Sequence, residues 1–368
     1  MRIEKVMLRE IRMPMVMRFE TSFGTTTERR ILLLEVKADG VTGWGECVAD
    51  EKPYYSPETI DTAKTILRDF LWPEVRGKEF GAARDIWGML GHTRGHNMAK
   101  AALESAIWDA EAKQKNMPLW KLLGGVRQEI PCGVSIGIQP SVEELFANVE
   151  KELAAGYQRI KIKIKPGHDV KSVAALRKRW PQIRLMADAN SAYSLEDIAL
   201  LKQLDAFGLM MIEQPLGWDD IYSHVKLQKQ IETPICLDEC IHEYEHAVAV
   251  IEMGACRIIN MKMGRVGGHT VMRRIHDLCQ RSGIPMWCGG MLETGIGRAQ
   301  NIALSTLENF TLPGDVSASK RYWAEDIVEP EIEVTPKGTI KVPTGPGIGY
   351  QPKLKYIEKL TVRSEVLV

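Results

Sequence analysis

The sequence predicts an α/β protein: a closed barrel of repeated βα units with a smaller α+β domain covering it. Two observations carry this reading. From about Pro131, short apolar runs alternate with longer amphipathic stretches, the pattern of parallel strands connected through helices. Ionisable residues then stand at the ends of successive runs about 25 residues apart, which is the length of one βα unit. A chain of 368 residues also exceeds what a single hydrophobic core usually fills, so a large domain with a companion is expected.

Residues 1–125 read as the α+β capping domain, strands first and helices after. The run RILLLEVKADGVTGWGEC predicts a hairpin turning at Asp39-Gly40. Near Met98 to Lys115 a helix sets Ala102, Ala106 and Ala110 on one face beside Leu103 and Ile107, a surface suited to close packing. Pro118 and the pair Gly124-Gly125 mark a break, and the domain boundary is placed just after it. Residues 126–320 form the barrel, with strands expected in CGVSIGI, RIKIKI, RLMADA, LMMIEQ, ICLDE, RIINMKM, IPMWCGG and FTLPGD, and helices such as SVEELFANVEKELAAG between them. The tail, 321–368, is rich in Pro, Gly and β-branched residues (EPEIEVTPKGTIKVPTGPGIG) and is expected to return as strands and loops over the first domain.

Composition narrows the function. Lys plus Arg equals Asp plus Glu at 48 each, so the chain lacks the basic field that nucleic acid or an anionic membrane would require, and a small-molecule partner is expected. No apolar run approaches the roughly 20 residues that span a bilayer, and charges interrupt MRIEKVMLREIRMPMVMRF where a signal peptide would be apolar. A cytoplasmic homo-oligomer is the expectation. Seven scattered cysteines without paired CxxC spacing indicate neither a disulfide framework nor a zinc site, and Cys236 and Cys240 read as buried or loop thiols. Surface or structural roles are expected for His168, His242 and His246.

The chemistry lies in the strand ends. Lys163, Asp188, Glu213, Asp238 and Lys262 recur in phase, and in a closed parallel barrel equivalent strand ends converge on one mouth. Three carboxylates brought together repel unless protonated or bound to a cation, and oxygen-only ligands favour Mg²⁺, with Mn²⁺ as a substitute. In RIKIKIK, Lys161, Lys163 and Lys165 alternate with isoleucines and share one side of the strand. Lys161 and Lys163, pointing inward near each other and a metal ion, are expected to lower each other's pKa toward neutrality, which makes a lysine a usable general base. Lys262, on the sixth strand, faces Lys163 across the mouth, so a substrate between them meets a nitrogen on each side. The GRVGG after it lacks the phosphate-loop patterns and reads as a tight strand-to-helix turn.

These residues resemble a known family. KIK at Lys161 to Lys163, ADAN at Ala187 to Asn190, IEQP at Ile212 to Pro215, LDE at Leu237 to Glu239 and Lys262 in NMKMGRVGG are similar to the motifs of the enolase superfamily, muconate-lactonising subgroup. WCGGMLETGIGRA and NFTLPGDVSAS narrow the likeness to o-succinylbenzoate synthases and N-acylamino acid (N-succinylamino acid) racemases. The resemblance covers essentially the whole chain. It implies a modified TIM barrel of (β/α)7β type, Mg²⁺ on Asp188, Glu213 and Asp238, and Lys163 with Lys262 as the acid/base pair. It also implies specificity loops in FETSFG (Phe19, Phe23) and near Tyr54-Tyr55. Substrate-lining roles are implied for Lys161, Ser135, Asn190, Gly290, Met291 and Ser317. The activity implied is removal of the proton α to a carboxylate, in an o-succinylbenzoate synthase of the menaquinone pathway, an N-acylamino acid racemase, or both. Dipeptide epimerases and muconate-type cycloisomerases are the nearest alternatives. Epimerases carry Asp-x-Asp on the last strand, where this chain has Asp315-Val316-Ser317. A silent metal-binding barrel is the alternative of another class, and two opposed lysines argue against it.

Overall fold

The computed structural model describes residues 1–368. Strands β1 (Ile3–Glu20), β2 (Thr25–Ala38) and β3 (Val41–Cys47) form an antiparallel meander. Asp39 and Gly40 turn β2 into β3 with φ of 45° and 81°, the positive values that a two-residue hairpin with the natural strand twist requires. Helix α1 (Asn97–Gln114) packs on this sheet and is buried from Asn97 to Ala112. Its alanine face meets the glycines of β3: a Cβ on Gly43 would strike the Ala106 carbonyl oxygen, and one on Gly45 that of Ala102. Small residues on both partners are therefore what lets helix and strand approach this closely. Ile31, Leu32, Leu33 and Leu34 of β2 are all fully buried, so this strand is covered on both faces.

Seven short strands make the second sheet: β4 (Gly133–Ile136), β5 (Arg159–Lys163), β6 (Leu185–Asp188), β7 (Ile212–Glu213), β8 (Ile235–Leu237), β9 (Ile258–Met261) and β10 (Met286–Cys288). All neighbours are parallel and in chain order. Each connection carries a helix, as in α2 (Val142–Ala154), whose Ser141 side chain caps the first turn by accepting from the Glu144 amide at 3.1 Å. The eighth expected strand, FTLPGD, is a correction: it forms no ladder. Instead Phe310 bridges Met286, Gly314 bridges Cys132, and the amides of Gly133 and Asp315 donate to Gly314 and Cys288 at 2.7 Å, joining the two edges. Pro313 has no N–H to continue a ladder, so an extended segment closes the curl. Inside, Met186, Met211, Cys236, Ile258 and Trp287 form a small separate apolar cluster that plugs the barrel.

Helices α3 (His269–Arg281) and α4 (Gly295–Ser305) hold the two parts together. Glu104 of α1 accepts from the amides of His269 (2.6 Å) and Thr270 (2.9 Å), and Glu46 of β3 from those of Thr294 (3.0 Å) and Gly297 (2.9 Å). Carboxylates of the first unit thus cap barrel helices, where orphan amides and the helix dipole favour negative charge. In the tail, Thr339–Lys341 pairs with Glu129–Pro131, and a helix that the sequence reading omits, α5 (Leu354–Leu360), precedes strand β11 (Thr361–Leu367). β11 lies antiparallel to β1, from Val6↔Leu367 to Ile11↔Thr361, and completes a four-stranded sheet. No helix is long and apolar enough to cross a membrane, and all seven cysteines are free and buried.

Candidate active site

Strand register brings the phased residues to one end of the barrel. Lys163 of β5 pairs with Asp188 of β6, and Asp188 with Glu213 of β7. Asp238 follows β8 by one residue and Lys262 follows β9 by one. Asp188, Glu213 and Asp238 are at most 1 % exposed, so their charges must be met by neighbours inside the protein.

Those neighbours are the lysines. Lys161 Nζ lies 3.0 Å from Asp188, 2.9 Å from Glu213 and 2.6 Å from Asp315. Lys163 Nζ donates to Asp188 at 2.6 Å and to the Asn190 amide oxygen at 2.5 Å. On the other side, Lys262 Nζ donates to Asp238 at 2.7 Å and to the Tyr55 hydroxyl at 3.1 Å, and that hydroxyl donates to Asp238 at 2.9 Å. Arg265 completes the Asp238 shell.

For Lys161 this arrangement reverses the expected lowering. Burial pulls Lys161 down, but Asp315, Glu213 and Asp188 outweigh it and hold the ammonium well above its ordinary range. Lys262 is likewise raised, against burial, by Asp238 first. Burial also opposes ionisation of Asp188, yet Lys163 and Lys161 hold it below the usual carboxylate range. Glu213 goes the other way, pushed up by burial and then by the adjacent Asp188. Burial and the Asp238 charge push Glu239 up to about 8.

A cavity of about 70 Å³ lies at this mouth. Lys163 and Lys262 line it together with Phe19, Phe23, Tyr55, Asn190, Gly290 and Met291. The other predicted positions stand apart from its walls. Lys161 is within the carboxylate cluster, Ser135 is buried in β4 with its hydroxyl unpartnered, and the Ser317 hydroxyl lies 3.5 Å from that of Tyr322. Phe19 to Gly24 docks on the barrel: Ser22 Oγ donates to the Asn190 carbonyl at 3.0 Å, and the Ile138 amide to that of Glu20 at 2.9 Å.

The sequence reading passed over several residues of this network. They are Asn260, which donates to Glu213 at 2.6 Å, Glu239, which accepts from the predicted Asn190 at 2.9 Å, and Arg159, which holds Asp315 at 2.7 Å. Asn260 and Arg159 each stand two residues before a lysine of interest, so strand alternation already placed them inward. His242 and His246, four apart, lie edge to face at 5.6 Å beside Trp218, with burial holding His242 down at about 4. Gly267 and Gly268, at φ of 98° and 132°, make the tight turn expected of GRVGG.

A curled parallel sheet with carboxylates on three adjacent strands, opposed lysines and a separate cap defines the class. The chain belongs to the enolase superfamily: residues 3–124 match the mandelate racemase / muconate lactonizing enzyme N-terminal domain, and residues 144–356 the enolase C-terminal domain-like family. It is 51 % identical to an o-succinylbenzoate synthase of Geobacillus kaustophilus, over 98 % of this chain and 96 % of that one. It is 49 % identical to an N-succinylamino acid racemase of Thermus thermophilus, over 98 % of each. The crystal structure of an enolase-superfamily member from Listeria innocua superposes with a TM-score of 0.97 at 42 % identity, covering 100 % of this chain and 99 % of that one.

Proposed function

We propose that this protein is an enzyme that removes the proton α to a carboxylate, acting as an o-succinylbenzoate synthase, an N-succinylamino acid racemase, or both, in the cytoplasm. The observation that carries the reading is one cavity lined by both Lys163 and Lys262 above three buried carboxylates. Residues 1–125 serve as the cap, 126–320 as the barrel and 321–368 as the returning tail.

Asp188, Glu213 and Asp238 would hold Mg²⁺, with Mn²⁺ able to replace it. The donor set suits a hard cation: oxygen ligands only, with Glu213 pushed up by burial and then by the neighbouring Asp188, and with lysines meeting the charge of all three carboxylates where the ion would. Bound there, the ion supplies charge compensation at the substrate carboxylate as a second negative charge develops on it. Lys161, set within the carboxylate cluster and off the cavity wall that Lys163 and Lys262 share, contributes positive charge and is not the base.

Lys163 takes the α-proton from one face. In the dehydration it passes that proton to the departing hydroxide, releasing water, while Lys262 contributes its charge from the other face. In the racemisation one lysine removes the proton and the other returns one to the opposite face. The dipeptide-epimerase alternative is disfavoured because Ser317 stands where a second aspartate would be.

The test separates the lysines. Lys262→Ala should fail to racemise N-succinylamino acids yet still exchange the α-proton of one enantiomer with deuterium, read by NMR, and Lys163→Ala should exchange only the other. Exchange of both enantiomers by either variant would sink the opposed-base arrangement.

A further inference from the structure

We propose that a second cavity, at the seam between cap and barrel, binds a small organic monocarboxylate, with Lys100 as the group that holds the carboxylate. The cavity is about 410 Å³; Trp87, Arg94 and Lys100 line it from the first unit, and Tyr244, Val266 and Arg274 from the barrel. None of its lining residues belongs to the cavity shared by Lys163 and Lys262. Lys100 stands near the start of α1 and is 3 % exposed, yet its ammonium makes no hydrogen bond and no ion pair within the chain. Its one cationic contact is with the Trp87 ring, whose centre is 5.2 Å away. Glu58, one of the two carboxylates that act on it through space, has its oxygens on the amides of Met98 at 2.8 Å and Ala99 at 3.1 Å. The other, Glu243, is exposed on the cavity wall. Burial holds Lys100 below its ordinary range against both of them. A buried charge without a partner is costly, and an anion seated in the cavity supplies that partner.

The walls define the class of ligand. Arg94 and Arg274 are exposed and make no ion pair, and the Arg274 guanidinium lies 4.3 Å from the centre of the Tyr244 ring. Against these cations and Lys100 stand two carboxylates, Glu243 and Glu245, so the surplus is one positive charge. A monoanion matches it, whereas inorganic phosphate, with about two negative charges near neutral pH, meets the two carboxylates as well. The Trp87 and Tyr244 rings offer apolar wall to the body of the ligand, which fits an aromatic carboxylate such as benzoate. Asn97, also in the wall, donates to the carbonyls of His242 at 2.8 Å and Arg265 at 3.1 Å, so an occupied cavity braces the contact between α1 and the turn after Lys262.

Calorimetric titration of the full chain with benzoate should show saturable binding, and the melting temperature should rise with benzoate concentration. Lys100→Met keeps the apolar stem and removes the charge, and should weaken benzoate by about tenfold or more. Arg274→Glu, on the exposed side of the same cavity, should weaken it in the same direction, and it decides the matter if Lys100→Met fails to fold. Inorganic phosphate, titrated in parallel, should bind more weakly than benzoate. Absence of saturable benzoate binding overturns the proposal. So does benzoate binding that the folded variants leave unchanged, since it then occupies another site, such as the one between Lys163 and Lys262. Phosphate binding tighter than benzoate would overturn the assignment to a monocarboxylate.

Discussion

Glu213 shows how one side chain reports the chemistry of its surroundings. Its carboxyl is pushed up by burial and by Asp188, while Lys161 and Asn260 each hold one of its oxygens, at 2.9 Å and 2.6 Å. Without a cation, its negative charge is thus a burden in this site. Glu213→Gln should leave the melting temperature without Mg²⁺ nearly unchanged, and should weaken Mg²⁺ binding on the order of 100-fold with most activity lost. Calorimetric titration with Mg²⁺, beside melts with and without it, checks both halves. An unchanged Mg²⁺ affinity would remove Glu213 from the proposed ligand set. Arg265 illustrates the opposite case for a reader of sequence: it reaches Asp238 from a turn beyond the strand, where no periodicity points inward.

At the scale of elements, the contact of β3 with α1 is the least forgiving. The atoms a Cβ on Gly43 would meet are the Ala106 carbonyl oxygen and the Ala110 amide nitrogen, and backbone cannot move aside as a flexible side chain does. Gly43→Ala should therefore destabilise the protein by about 3 kcal/mol, whereas Gly24→Ala, with nothing within 4 Å of the added carbon, should cost far less. Chemical denaturation of the two variants makes the comparison, and equal losses would show that the glycine acts through chain flexibility instead. The alanine spacing of α1 announced this packing, but its glycine partner on β3 became evident only with the two elements in place. The segment FTLPGD shows the converse: its apolar start reads as a strand, and Pro313 and Gly314 leave it extended but without a ladder. The active-site loop belongs here too. Phe19 and Phe23 of the loop line the cavity beside Lys163 and Lys262, and Ser22 ties the loop to Asn190 of the barrel.

For the whole molecule, the joint between cap and barrel depends on buried carboxylates set at helix starts. Glu46 is pushed up to about 7 from an ordinary 4.5, chiefly by burial, with Glu293 adding to it and the bonds from Thr294 and Gly297 opposing. The folded state therefore holds this proton more tightly than the unfolded chain. Its contribution is most favourable below about pH 4.5, falls as pH rises toward 7, and levels off above that, a change of about 3 kcal/mol. Glu46→Gln, with no proton to lose, should flatten the stability difference between pH 5 and pH 8 by about that amount. Denaturant melts at both pH values measure it, and an undiminished difference would assign the pH dependence to other groups.

Periodicity and spacing alone determined the barrel, the cap hairpin at Asp39-Gly40, and the set of Lys163, Asp188, Glu213, Asp238 and Lys262, because strand alternation and the length of a βα unit are local properties written along the chain. Only the tertiary structure decided what surrounds each of them. Lys161 is a case in point: spacing placed it beside Lys163, and the two cations were read as lowering each other. The fold sets Asp315, from the far side of the closing segment, within 2.6 Å of it and reverses the direction of its shift. Charge balance in a buried cluster is a sum over residues remote in sequence, and that sum exists only once the barrel has closed.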